Sequence, residues 1–273
     1  MSLKKYEYER LCYTELDEAL EQSKGIVVII VGATEQHGPH GTFDTDTACT
    51  KEAVMRAAQK EYVVVGPVIP VGNCRQNFSK KMKGTLWLES HTLENVIVEI
   101  GNSLVKNGFN KIILANGHGG NIAPCSNAAE KIKYNNENVF VACVKTWELH
   151  EGYEEEFGIV YPEELSDYCG HGCLETAYIL HLRPDDVKKE EYRDSKPVDE
   201  LTEWGCVWPP QYGPYKNPIQ VVLTIDEVVP YGHFGDPTPV TAELGDAIME
   251  AWATNLARFF KALKEGKVKW KKQ

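Results

Sequence analysis

Six consecutive β-branched residues, Ile26-Val27-Val28-Ile29-Ile30-Val31, run directly into Gly32. A strand with one wet face would alternate apolar and polar residues. This run does not, so it predicts a strand buried on both faces, as in the middle of a parallel sheet. Further strand candidates lie at 62–71, 111–115 and 139–144, and helical patterns at about 45–60, 90–107, 122–134 and 174–182. Strands alternating with helices predict an α/β fold, a mainly parallel central sheet flanked by helices and joined by right-handed crossovers. Thr241 through Phe260 reads as an amphipathic closing helix whose apolar face is core. With 273 residues and no Pro/Ser-rich linker, repeat or low-complexity tract, residues 1–273 read as a single domain.

The densest chemistry follows the first strand, in Glu35-Gln36-His37-Gly38-Pro39-His40-Gly41-Thr42-Phe43-Asp44-Thr45-Asp46. Residues two apart at a strand end point the same way, so Glu35 and His37 can share a cavity. Asp46 returns to it beyond a turn sharpened by Gly38, Pro39 and Gly41. Carboxylate and imidazole together suit zinc, manganese or iron better than calcium. Several ionisable groups at buried strand ends would be costly to desolvate without a compensating ligand.

Two later segments can complete such a site. Asn116-Gly117-His118-Gly119-Gly120-Asn121 follows the strand at 111–115 and precedes a helix. Open α/β sheets bind ligands beyond the carboxyl ends of their strands, where His37 and His118 both fall. Gly170-His171-Gly172-Cys173-Leu174-Glu175-Thr176 leads into the helix at 174–182, with Glu175 in its first turn. Against these readings, His118 could sit in a plain strand-to-helix turn, and Glu175 could only face a helix dipole.

Bulk properties narrow the partners. A net charge of −11 argues against nucleic acid, and no apolar run reaches membrane-spanning length. The eight cysteines are scattered, and a chain of this length needs no covalent staples, so a reduced, cytoplasmic setting is expected. Cys173 beside His171 is a minor candidate nucleophile. The stretch from Trp147 to Val221 is irregular, and Trp147, Trp204, Trp208 and Tyr212 within it could wall a pocket.

The motif residues resemble the creatininase (creatinine amidohydrolase) family, whose members carry E-x-H-G-x-H, an aspartate, and N-G-H. They stand here as Glu35 to His40, Asp46, and Asn116-Gly117-His118. Gly235-Asp236-Pro237 resembles a further family segment, and the likeness runs from about residue 25 to about 260. The resemblance implies a three-layer α/β/α fold. It also implies two divalent ions (zinc, manganese or iron) held by Glu35, His37, Asp46, His118 and Glu175, with Asp46 bridging, and a homo-oligomer, commonly a hexamer. Creatininase has a glutamate two residues after the N-G-H histidine, where this chain has Gly120. Relatives with H-A-G-x-x-E-T-S supply the later glutamate instead, and Glu175-Thr176 fits that segment. His171 to Glu175 is one residue shorter than in that motif. The S-x-E-H pattern common in relatives is missing from 72–79, and F-P-G-T is replaced by Met82-Lys83-Gly84-Thr85, so creatininase itself is not the expectation.

The chemistry expected is hydrolysis of a small cyclic substrate. Two ions about 3.5–4 Å apart make hydroxide available near neutral pH and polarise a carbonyl. His171 is the candidate proton donor, with His40 in reserve or orienting a ligand. Asn73, Arg75, Gln76, Asn77 and Trp208 are candidate substrate contacts. A C–N bond of a cyclic amide is the first reading. The rival is C–C cleavage of an inositol-derived cyclic ketone, as in 3-dehydro-scyllo-inosose hydrolase. A metal-stabilised metabolite-binding protein is the non-enzymatic alternative, disfavoured because structural metal sites are usually closed by Cys and His.

Overall fold

The computed structural model describes residues 3–75, 81–165, 172–196 and 223–270. Among the described residues, four strands, β1 (Ile26–Val31), β2 (Val64–Ile69), β3 (Lys111–Asn116) and β4 (Phe140–Lys145), form one sheet in the order β2-β1-β3-β4. Every neighbouring pair is parallel. The central position of β1 accounts for its unbroken apolar run, since all six of its residues are buried. The edge strand β2 tolerates Pro67, which has no N–H to offer a ladder. The β1–β2 register shifts between Val28 and Ile30, opposite Gly66-Pro67.

The helices are α1 (Leu16–Ser23), α2 (Thr45–Lys60), α3 (Ser90–Lys106), α4 (Ile122–Asn135), the single turn α5 (Glu154–Phe157), α6 (Cys173–Leu182), the single turn α7 (Ile225–Val228), and α8 (Ala242–Lys264). Strand periodicity divides them into two layers. Val27, Ile29 and Val31 pack with Leu93 and Ile97 of α3 and Ala128 and Ile132 of α4. Ile26, Val28 and Ile30 pack with Val54 and Ala57 of α2 and Leu256 and Phe260 of α8. This is the expected three-layer α/β/α arrangement.

Handedness explains the split. The chain leaves β1 toward β2 in one direction, then crosses β1 to reach β3 and continues outward to β4. Right-handed crossovers place the helix of the first connection on one face and those of the next two on the other. Their contacts put α2 on the first face and α3 and α4 on the second.

A third cluster joins α6 to α2 and α8 through Cys49, Ala53, Ala177, Tyr178, Ile248 and Trp252. The close crossing requires Gly245, where a Cβ would overlap the Ala177 carbonyl. The closing helix runs on to Lys264. Trp147, from the stretch expected to be irregular, packs on this cluster, and that stretch also contains α5 and α6. Among the described residues no helix is long and apolar enough to cross a membrane, and the cysteines described are all free thiols.

Candidate metal centre

β1 and β3 are neighbours whose connections depart in opposite directions, so a crevice opens beyond their carboxyl ends. Val31 and Asn116 stand side by side at that edge. Glu35 and His37 follow β1, and His118 follows β3. Asp46 lies in the first turn of α2 and Glu175 in the first turn of α6, ends where a helix favours negative charge.

The five groups converge around Asp46. Its Oδ1 is 3.2 Å from His37 Nε2, and its Oδ2 is 3.2 Å from His118 Nδ1. Glu175 Oε2 lies 3.6 Å from His37 Nε2, and Glu35 Oε2 lies 2.8 Å from His118 Nδ1. Each imidazole therefore faces one oxygen of the shared aspartate and one oxygen of a further carboxylate. The His37 ring is oriented by its other nitrogen. Nδ1 is 3.0 Å from the Glu35 carbonyl oxygen, which can only accept, so Nδ1 carries hydrogen and Nε2 is turned into the site.

The N-G-H turn is held from below. Asn116 Oδ1 accepts the His118 N–H at 3.0 Å, and Thr146 Oγ1 donates to the Asn116 carbonyl at 3.0 Å. Gly117 permits contact with α2, because a Cβ there would overlap Thr50 Oγ1 and crowd the Asp46 carbonyl. Asn121 ties three segments together. Its Nδ2 donates to the Gly32 carbonyl at 2.9 Å and its Oδ1 accepts the Asn73 N–H at 2.8 Å.

Burial and mutual charge shape the titration of the site. Burial opposes protonation of His37, but Asp46, Glu175 and Glu35 outweigh it and raise the ring to about 10. His118 is likewise raised against burial, by Glu35 and Asp46 among its neighbours. Glu175 is pushed up to about 7 by burial, with Asp46 and Glu35 adding to the rise and His37 opposing it. Asp46 is held low despite burial because both imidazoles face it.

This donor set fits divalent metal ions. Asp46 Oδ2 is buried and has no aligned hydrogen bond, although His118 Nδ1 is close by. Proximity without alignment is the arrangement of donors that face a common third body. Glu35, His37 and Asp46 form one group of ligand atoms within 4.8 Å of one another, and Glu35, Cys74 and His118 form a second. Nitrogen and oxygen donors of this kind suit zinc, manganese or iron. Glu35, His37, Asp46 and His118 are the donors of this cluster that would hold metal, with Glu175 beside them 3.6 Å from His37.

His40 lies just outside this cluster. Thr176 Oγ1 spends its hydrogen on the Gly172 carbonyl at 2.8 Å, so His40 Nε2 must donate to it at 2.9 Å. Burial, helped by His233 and His37, pushes His40 down to about 3, so the ring is neutral. Its edge packs on His233, with ring centroids 4.9 Å apart. Cys173, the candidate nucleophile, is fully buried and donates to the Phe234 and Asp236 carbonyls at 3.2 and 3.1 Å, anchoring the Gly235-Asp236-Pro237 segment.

Of the candidate substrate contacts, Asn73 Nδ2 donates to the Leu88 carbonyl at 3.1 Å and Arg75 pairs with Glu89 at 3.0 Å on the surface. His171, Gln76, Asn77, Trp204, Trp208 and Tyr212 lie outside the described residues. Sequence reasoning passed over Cys74, His233 and Asn121. Asn121 belonged to the N-G-H-G-G-N segment already singled out, whereas Cys74 and His233 carry no local spacing that marks them.

The sequence profile of the creatininase (creatinine amidohydrolase) family matches residues 9–260. A mycofactocin precursor peptide peptidase from Mycolicibacterium smegmatis is 28% identical over 243 residues, covering 86% of this chain and 84% of that protein. A creatinine amidohydrolase from Pseudomonas putida is 25% identical over 198 residues, covering 69% and 76%. Among solved structures, a manganese creatininase superposes with a TM-score of 0.75 at 20% identity, covering 95% of this chain and 99% of that one. A mutant creatininase of Zn-Zn type gives 0.76 at 20% identity, covering 96% and 99%.

Proposed function

Because the chain belongs to the creatininase family, we propose that it is a metal-dependent hydrolase cleaving the C–N bond of a small amide, with a cyclic amide as first candidate. The observation that carries this is the Asp46 carboxylate set between two imidazoles, each backed by a second carboxylate. Bound there, a pair of divalent ions supplies acidified water and a Lewis acid for a carbonyl oxygen. Asp46 spaces the two positions, while Glu35 and Glu175 close their outer sides. His37, Asp46 and His118 are buried, which strengthens their electrostatic hold on a bound cation.

The leaving nitrogen needs a proton, and His171 is assigned that role. His40 is neutral and its hydrogen is committed to Thr176, so its part is to hold α6, and with it Glu175, in place. The relatives' names describe a peptidase and an amidohydrolase. Both are C–N chemistries, which favours an amide over the ring-opening of a cyclic ketone. They also make peptides the competing amide class. A cytoplasmic homo-oligomer, a hexamer by family resemblance, belongs to the same proposal.

The test is elemental analysis of untagged protein with turnover assays on creatinine, other cyclic amides and short peptides. About two ions per chain are expected, with activity lost to chelator and restored by metal. Full turnover by the metal-stripped, folded protein would overturn the reading, as would failure to reload any ion. His171→Ala should retain its metal and lose about 10²–10⁴-fold in rate. An unchanged rate removes His171 from the mechanism.

A further inference from the structure

We propose that Cys74 is a thiolate ligand of the ion held by Glu35 and His118, so that the two metal positions differ in softness and this one prefers zinc to manganese. The inference rests on the dinuclear reading above and adds to it a donor of a different chemical kind.

Cys74 is fully buried, and its sulfur shares a cluster with a Glu35 oxygen and a His118 nitrogen, all within 4.8 Å of one another. Zinc bonds of about 2.0 Å to nitrogen or oxygen and about 2.3 Å to sulfur let three such donors close on one ion with small side-chain adjustments. The backbone around Cys74 is pinned. The Asn73 N–H is held by Asn121 Oδ1, and Asn73 Nδ2 by the Leu88 carbonyl. Gly72 lies against the Asn121 side chain so closely that a Cβ would stand 2.6 Å from its Oδ1.

The descent of this segment onto His118 depends on Gly120. A Cβ at 120 would overlap the Asn73 carbonyl oxygen and stand 2.7 Å from His118 Nε2. The space that any side chain at 120 would need is filled by the backbone that delivers Cys74. The other candidate group, Glu35, His37 and Asp46, contains no sulfur. On binding, the Cys74 S–H bond breaks, its proton passes to solvent, and a sulfur–metal bond forms with no change of oxidation state. Thiolate ligation discriminates against manganese, which prefers oxygen donors, and in favour of zinc. The competing account of Cys74 is a buried thiol that hydrogen-bonds to His118 and has no ligand role.

The experiment loads metal-stripped, full-length protein with Co²⁺ and follows the near-ultraviolet spectrum. Thiolate-to-cobalt charge-transfer absorption should grow with loading. Cys74→Ser should lose it while still binding about two cobalt ions per chain. Competition titrations should show the zinc-over-manganese preference falling by about 10–100-fold in Cys74→Ser. Wild-type protein that binds both ions without this absorption overturns the thiolate ligand and leaves the dinuclear reading standing. Absorption that persists in Cys74→Ser assigns it to another thiol and likewise overturns the proposal. Wild-type protein that binds no cobalt overturns both readings. X-ray absorption at the zinc edge of the wild-type protein decides the point without a variant: a sulfur neighbour at about 2.3 Å supports the ligand, and a shell of only nitrogen and oxygen overturns it.

Discussion

Asp46 and Glu175 are both carboxylates in the first turn of a helix, yet their charge states diverge. Asp46 is faced by two imidazoles and held ionised, whereas burial and two neighbouring carboxylates raise Glu175 to about 7. The same contrast separates their substitutions. On the proposed two-ion reading, Asp46→Ala removes the carboxylate shared by both positions and should weaken both ions by more than about 100-fold, beyond the usual effect of losing a supporting group. Glu175→Gln should lower occupancy of one position only. Isothermal titration with zinc, counting sites and affinities in each variant, separates the two outcomes. Retention of two tightly held ions by Asp46→Ala removes its bridging role.

At the scale of elements, α6 is brought to the site by two contacts distant in sequence. His40 reaches Thr176 near its start, and Arg183 at its end makes a bidentate pair with Asp44, at 3.2 and 2.8 Å. The Arg183 pair is exposed to solvent and contributes little to stability. The His40 contact is buried. Thr176→Val leaves a buried donor unsatisfied and should cost about 1–3 kcal/mol by urea denaturation, with weaker metal retention at the Glu175 position. Gly120 is the corresponding constraint for the N-G-H turn. Gly120→Ala forces the Asn73–Cys74 backbone away from His118, and we expect a loss of about 1–3 kcal/mol, read from the same denaturation curves. An unchanged midpoint would mean that the segment moves aside freely.

The whole molecule should register the site through pH. Without metal, His37 binds its proton more tightly in the folded chain than at its ordinary value of 6.5. Its stabilisation is present in full below 6.5 and is lost as pH rises through about 10. Glu175 adds the same sign at lower pH, its contribution present below 4.5 and lost as pH rises through about 7. The thermal midpoint of chelator-stripped protein should therefore fall across the neutral-to-alkaline range. Metal-loaded protein should not follow it, because the ion displaces those protons. Parallel calorimetric scans of the two forms between about pH 6 and 10 check this, and identical slopes would count against the buried charge cluster.

The α/β class, the sheet strands and the principal helices were legible because hydrophobic period and length are local properties of the chain. The unbroken run of β1 announced a central strand, and the expected helix at 45–60 coincides with Thr45–Lys60. The stretch 62–71 was trimmed to Val64–Ile69, since only those residues pair with β1. The chemistry of Glu35, His37, Asp46, His118 and Glu175 could be named from residue type and motif. Their convergence on Asp46 could not be read from the linear chain, because α6 reaches Asp46 through its packing on α2 and α8 and through the His40 and Asp44 contacts. Residue type alone left His40 as a reserve proton donor or an orienting group, and burial beside His233 makes it a neutral hydrogen-bond donor to Thr176. Cys74 had no motif to mark it. Its place depends on a glycine distant in sequence and on a backbone segment folded over it, and such proximity exists only once the tertiary structure has closed.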